Sequence, residues 1–174
     1  LQLSSFSGSV DAQGTEVETR ILAIHPVVED EELRRRFGRK EGRVALLERL
    51  RLVGGQSIVY QRSYIPAEYS AVLQEYTPEK GLYEELGRAI KRVISIAEEE
   101  LECVAPPVEV AALLEIAEGS PCFLSRRVSR TVNGDPVLFD IAYMVGGRVK
   151  VELLRSGRLS EFNYAVDVDR RNDE

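Results

Sequence analysis

Apolar and polar residues alternate along much of the chain, and this pattern predicts more strands than helices. In the stretch from Thr15 to Ile24, charged residues first occupy every second position and apolar residues or threonine lie between them, as in a half-buried strand. The run between Pro26 and Gly38 has acidic residues in its first turn and arginines in its last, which suits a short helix and its macrodipole. We therefore interpret the basic cluster at 34–39 as a solvated helix end.

Residues 44–65 predict a hairpin around Gly54 and Gly55. A two-residue Gly-Gly loop would place arginines and large apolar residues on the same face of that hairpin. A three-residue loop that includes Gln56 separates the two kinds of side chain, so we favour the second register.

The favoured register brings two arginines and an amide together on one face. It places Gln61 opposite Arg49 and Val59 opposite Arg51, at the roughly 5 Å spacing of cross-strand pairs. The other face then carries Leu50, Leu52, Ile58 and Tyr60.

The middle of the chain predicts three short helices and one ambiguous segment. The first helix occupies the stretch 66–76, and the second begins with Thr77 as N-cap and reaches about Leu86. A third, apolar helix is predicted over 106–118. The run 88–104 fits both a helix and an alternating strand, and periodicity alone favours the helix.

The last third of the chain predicts strands. The dipeptide Asn133-Gly134 is a strong hairpin signal between strands at 122–132 and 137–144. Two more strands are predicted at 149–154 and 162–168. Antiparallel hairpins with helices between them indicate an α+β fold.

Composition narrows the function classes. A chain of 174 residues favours a single domain, and its formal net charge of −6 argues against binding nucleic acid by itself. Cys103 and Cys122 lack CxxC spacing and His25 is the only histidine, so a zinc cluster or a Cys-His site is not indicated. We expect two reduced thiols in a cytoplasmic protein, with no membrane span.

The ends of the chain predict connecting segments. Residues 1–14 are small and polar, as in a linker, and the chain opens at Leu1 without a signal peptide. We expect a domain cut from a longer protein, with the domain over 15–168 and a tail at 169–174.

Several short motifs then carry a family resemblance through their joint order and spacing. They are Ser5-Phe6-Ser7, Arg49-Leu50-Arg51, Ser63 to Pro66, Gly81 to Leu86, Asn133 to Val137, and Gly146 to Arg148. Together they resemble the UTRA domain, the effector-sensing half of HutC-subfamily GntR-type bacterial transcription regulators.

This resemblance implies an α+β, chorismate-lyase-like fold, with about six antiparallel strands, short flanking helices and a small-molecule pocket against the sheet. It also implies that the ambiguous segment is a strand, at 92–104. Similar proteins are homodimers that bind DNA through an N-terminal winged-helix domain, and we expect that domain to precede the segment given by this sequence. The implied function is non-catalytic sensing of an effector that controls operator binding allosterically, with no cofactor.

The resemblance also implies an anion-binding site. Family members that sense phosphosugars hold the phosphate with two arginines and with hydroxyl groups, at the positions of Arg49, Arg51, Ser5 and Gly81. Arginines two apart on a strand lie on one face, about 7 Å from each other, and their planar forks can converge on one anion. We therefore predict a phosphate- or carboxylate-bearing effector.

The chain departs from the family pattern at several of these positions. Gly81 replaces a hydroxyl residue, although its N–H near a helix N-terminus can still meet an anion. Gln61 stands where similar domains often have an acidic residue. The other expected contacts are Tyr83, Leu138, Asp140 and Met144, of which Leu138 and Met144 replace polar or aromatic contacts.

Two other functions remain open at this point. One is an enzyme of the related lyase fold acting on an aromatic carboxylate such as chorismate, although the sequence shows no acid-base constellation for it. The other is an interaction domain with a vestigial pocket. The acidic run from Glu98 to Glu102 is interpreted as a solvated strand edge and not as a metal site.

Overall fold

The computed structural model describes residues 16–29, 31–38, 43–156 and 159–167. The predicted linker and tail, with Ser5, lie outside these ranges. The described strands are β1 (Glu18–Glu29), β2 (Arg43–Val53), β3 (Gln56–Pro66), β4 (Ile94–Val104), β5 (Cys122–Thr131), β6 (Pro136–Val145), β7 (Val149–Ser156) and β8 (Leu159–Val166). The helices are α1 (Glu31–Arg36), a 3-10 turn (Ala67–Tyr69), α2 (Ala71–Gln74), α3 (Leu82–Ile90) and α4 (Val108–Leu113).

Six of the strands form one antiparallel sheet in the order β1-β2-β3-β6-β5-β4. Strands β7 and β8 form a separate antiparallel hairpin. The predicted α+β class and the six-stranded antiparallel sheet are confirmed.

The ambiguous segment is strand β4, so the helix that periodicity favoured is wrong. It pairs with β5 along its whole length and forms one edge of the sheet. Glu98, Glu100 and Glu102 are exposed while Glu99 and Leu101 between them are half-buried, which is the alternation of an edge strand. Pairing with β5 outweighs the local helical pattern.

The hairpin of β2 and β3 has the predicted register but not the predicted loop. Val53 pairs with Gln56 across a two-residue turn, in which Gly54 and Gly55 have φ values of 56° and 79°. A bulge at Ile58 then restores the register that puts Gln61 opposite Arg49 and Val59 opposite Arg51. Ile58 consequently packs beside Val59, and not with Leu50 and Tyr60 as predicted.

The bounds of the helices differ from those predicted. Helix α3 begins at Leu82, since Thr77 belongs to a turn closed by the Lys80 amide donating to its carbonyl. Helix α4 ends at Leu113 because Glu115 adopts a left-handed conformation, with φ of 54°.

Both faces of the sheet are covered. On the back face, α1 and α4 supply Leu33 and Val110 to two apolar clusters. On the front face, α2 and α3 cover a helix-side cluster of Leu47, Ile65, Leu138, Leu73, Leu82 and Leu86. The β7–β8 hairpin covers a hairpin-side cluster of Val53, Val59, Met144, Val149 and Tyr164.

Candidate functional site

Buried polar residues occupy the middle of the front face, between its two apolar clusters. Along β2 the alternate positions pass from Leu47 through Arg49 and Arg51 to Val53, and β3 and β6 repeat this change from apolar to polar to apolar. We call the buried residues in the middle the polar band: Arg49, Arg51, Gln61, Ser63, Arg127 and Asp140, each at most 9% exposed.

The two arginines of β2 bind neutral oxygens. Arg49 donates from Nη1 to the Tyr76 hydroxyl at 2.9 Å and from Nη2 to Ser63 Oγ at 2.7 Å. Arg51 donates to Gln61 Oε1 from Nε and Nη2 at 3.4 and 3.3 Å. Arg51 also donates from Nη1 to Thr19 Oγ1 at 3.3 Å, so hydrogen bonds hold both guanidinium groups in place.

One carboxylate lies at the centre of the band. Asp140 Oδ1 accepts hydrogen bonds from Gln61 Nε2 at 2.8 Å and from Ser63 Oγ at 2.5 Å. Its other oxygen, Oδ2, lies 3.7 Å from Arg127 Nη2. A single side chain, that of Ser63, therefore connects Asp140 to Arg49. Arg127 lies on the other side of Asp140.

Tyr83 of α3 covers Arg127. The Arg127 Cζ lies 5.4 Å from the centroid of the Tyr83 ring, and the Tyr83 hydroxyl shares a 2.7 Å hydrogen bond with Ser129 Oγ. Burial raises the pKa of Tyr83 to about 12, so the hydroxyl keeps its proton at neutral pH. On its other side Tyr83 lines a cavity of about 370 Å³ with Gly87, Ile94 and other residues.

Positive charge is crowded at the β2 end of the band. Burial, and then the charge of Arg49, lower the pKa of Arg51 from 12.5 to about 9.

The opposite end of the band is balanced. Burial alone would lower the pKa of Arg127, but the nearby oxygens of Tyr83, Asp140 and Glu99 raise it above the usual arginine value. Glu99 is itself held by hydrogen bonds from Ser125 and from Tyr164 of the β7–β8 hairpin.

Three buried polar atoms of the band have no hydrogen-bond partner among the described residues. They are Arg49 Nε, Arg127 Nε and Asp140 Oδ2. Because buried polar atoms in folded proteins are nearly always hydrogen-bonded, these atoms mark places where a water or a ligand completes the site.

Comparison with known proteins decides the family. A family model of the UTRA domain matches residues 12–150. The chain belongs to the UTRA-domain family. Such domains are the regulatory, effector-binding parts of GntR-family transcription regulators, so the family predicted from the sequence is confirmed at that level. The HutC subfamily stays a prediction.

Individual relatives agree with this assignment. The UTRA domain is 28% identical over 133 residues to the HTH-type transcriptional repressor NagR of Bacillus subtilis (strain 168), covering 76% of this chain and 55% of that protein. The chain thus spans about half the length of this curated relative. The effector domain of PhnF from Mycobacterium smegmatis matches with a TM-score of 0.75 and 25% identity, over 83% of this chain and 91% of that one.

A more distant structure shares the fold. A GntR-family transcriptional regulator from Enterococcus faecalis V583 matches at a TM-score of 0.69 and 19% identity, over 79% of this chain and 100% of that one.

The UTRA domain brings several predicted site residues together and separates others. Arg49, Arg51, Gln61 and Asp140 share the band, and Tyr83 covers it at Arg127. The other predicted contacts lie elsewhere: Leu138 in the helix-side cluster, Met144 in the hairpin-side cluster, and Gly81 exposed before α3.

Sequence reasoning missed Arg127, Ser63 as a link, and Tyr76. A usable signal existed for Arg127, because counting outward from a two-residue turn at Asn133-Gly134 places it opposite Asp140, as the structure has it. Tyr76 lies outside the sheet, and no strand register could have placed it against Arg49.

The described residues offer no three or more His, Cys, Asp or Glu side chains grouped as a metal site. None of the helices in the described part of the chain is long and apolar enough to span a bilayer.

Proposed function

We propose that this UTRA domain binds a small phosphate- or carboxylate-bearing metabolite at the β2 end of the polar band. The observation that carries the proposal is the pair of buried guanidinium groups, Arg49 and Arg51, which lie on one face of β2 within the polar band. An anion between them would form charge-assisted hydrogen bonds, which are stronger than those to neutral groups.

The energetics of burial favour an anionic ligand at this place. A buried charge is costly unless an opposite charge and hydrogen bonds compensate it. Arg49 Nε has no hydrogen-bond partner within the described ranges, so it is a donor that an anionic oxygen can satisfy.

We further propose that the domain acts as a non-catalytic sensor in a HutC-type regulator. The relative NagR is a transcriptional repressor, and about half of its length lies outside the match. In our proposal the whole protein is a cytoplasmic homodimer that binds DNA through a separate N-terminal domain. The effector binds one dimer geometry more tightly and so shifts operator affinity.

The experiment is calorimetry on the chain with inorganic phosphate, small organophosphates and small carboxylates. Replacing Arg49 or Arg51 with Ala should weaken binding by about 1.5–3 kcal/mol, or roughly 10- to 150-fold, because each removes charge-assisted hydrogen bonds. Lysine at either position should rescue only part of the loss, since a point charge lacks the planar fork.

Arg43 provides the matched control, because it is an exposed arginine at the first position of the same strand. Arg43→Ala should leave affinity within about twofold of the wild type. Thermal melts of every variant separate lost binding from lost folding. Equal affinities in the wild type and both alanine variants would contradict the site, and turnover of chorismate by the chain would contradict the non-catalytic role.

A further inference from the structure

We propose that Arg127 and Asp140 form a second recognition subsite within the polar band, which binds a neutral hydroxyl group carried by the anionic effector. This inference rests on the proposed function, because it assigns the end of the effector opposite the anion. It adds a specificity-determining pair to the site.

The two residues present one free donor and one free acceptor. Arg127 Nε and Asp140 Oδ2 are buried and have no hydrogen-bond partner in the part of the chain that the structure describes. Arg127 Nη2 lies 3.7 Å from Asp140 Oδ2, which is too long for a hydrogen bond. A hydroxyl group can satisfy both atoms at once, since it accepts from Nε and donates to Oδ2.

The charge at this end selects a neutral group. Arg127 faces Asp140, and its partner position on β4 is Glu99, so its positive charge already has carboxylates nearby. A second anionic group here would meet Asp140 directly and be repelled. A cationic group on the ligand would be repelled by Arg127. The group that fits between Arg127 and Asp140 is therefore an uncharged one that can both donate and accept a hydrogen bond.

The distance between the two subsites suits a small metabolite. Ser63 Oγ accepts from Arg49 at 2.7 Å and donates to Asp140 at 2.5 Å, so a single side chain separates the anion end from the carboxylate. Arg49 Nη2 and Asp140 Oδ1 are therefore at most about 5 Å apart, and a three-carbon chain with an anionic group at one end and a hydroxyl at the other can reach both.

The test compares two phosphates with the same three-carbon skeleton, glycerol 3-phosphate and n-propyl phosphate, by calorimetry on the chain. We expect the wild type to bind the hydroxylated compound at least about tenfold more tightly, as one buried donor–acceptor pair would give. Arg127→Gln should reduce this preference to about twofold or less, while affinity for n-propyl phosphate changes little. Asp140→Asn should also reduce it, and it serves as the second variant if Arg127→Gln fails to fold.

Arg126→Gln is the matched control. Arg126 is the neighbouring arginine on β5, points to the other face and binds Glu102, so its replacement should keep the full preference. Equal binding of the two phosphates by the wild type would overturn the second subsite. If the wild type binds the two phosphates equally and Arg49→Ala loses that binding, the anion site is supported and only the second subsite is contradicted. Absence of binding by both phosphates and by inorganic phosphate would overturn this inference together with a phosphate effector.

Discussion

At the scale of single residues, the polar band combines two arginines in unlike surroundings. Burial and then the charge of Arg49 lower the pKa of Arg51 to about 9, whereas the oxygens of Tyr83, Asp140 and Glu99 raise the pKa of Arg127. The same residue type thus has different electrostatic surroundings at the two ends of the band. In our proposal the anion binds at the β2 end.

The lowered pKa of Arg51 predicts that anion binding takes up protons at alkaline pH. A bound anion raises the pKa of Arg51 because it favours the charged form, so binding at alkaline pH should draw protons onto the protein. Calorimetry with inorganic phosphate at pH 9, where this ligand is almost wholly the dianion, in two buffers of different ionisation enthalpy should therefore report a net proton uptake.

The direction of the pKa shift of Arg51 also determines how the affinity for an anion depends on pH. Affinity should fall as pH rises above about 9, because charging Arg51 then costs free energy. Arg51→Ala should remove the buffer dependence at pH 9. A proton uptake at pH 9 that survives this substitution would show that Arg51 is not the titrating group.

At the scale of elements, the sequence predicted pairing better than it predicted turns. The separation of arginines from leucines was enough to place Gln61 opposite Arg49, because a one-residue slip would bury the wrong face. The bulge at Ile58 that produces this register has no local signature. Half of the candidate site followed from that register, whereas Tyr76 contacts Arg49 from outside the sheet and could not be deduced from strand alternation.

The glycine turn between β2 and β3 gives a prediction for the element that carries the arginines. Gly54 and Gly55 both have positive φ, and a Cβ at Gly54 would meet no atom within 4 Å, so only backbone preference matters there. Asparagine tolerates this conformation and restricts the unfolded chain, so Gly54→Asn should stabilise the fold by about 0.5 kcal/mol.

A β-branched residue is the contrasting substitution at the same place. Gly54→Val should destabilise by about 1 kcal/mol or more, because valine avoids positive φ. Urea denaturation of both variants measures the free energy of unfolding. The same sign of change in both would contradict the turn geometry, and unchanged phosphate affinity would show that the register is intact.

At the scale of the whole molecule, the sheet ends in two strand edges, β1 and β4. An open edge is a ready surface for a second chain unless charges block it. Exposed apolar side chains lie near the β4 edge at Val93, Ile96 and Val132. These features support the proposed homodimer.

Sedimentation at micromolar concentration tests the dimer. We expect one species of twice the chain mass, with Ile96→Lys shifting it towards the monomer, because a charge on an edge strand opposes pairing. Arg43 lies on β2 and away from that edge, so Arg43→Ala should leave the dimer unchanged. Sedimentation of the wild type as a monomer alone would contradict the proposal.

The balance of charge over the whole chain predicts no intrinsic affinity for DNA. Binding to a duplex depends on cations that neutralise phosphates, yet this chain carries 29 acidic against 23 basic residues. Several of the arginines are also already engaged: Arg34, Arg36 and Arg88 pair with glutamates on their own helices. An operator-length duplex titrated with the chain should show no salt-dependent binding at micromolar concentration. The effect of an anionic effector on DNA should appear only when a DNA-binding domain is attached, and salt-dependent binding by this chain alone would place a DNA site on the UTRA domain itself.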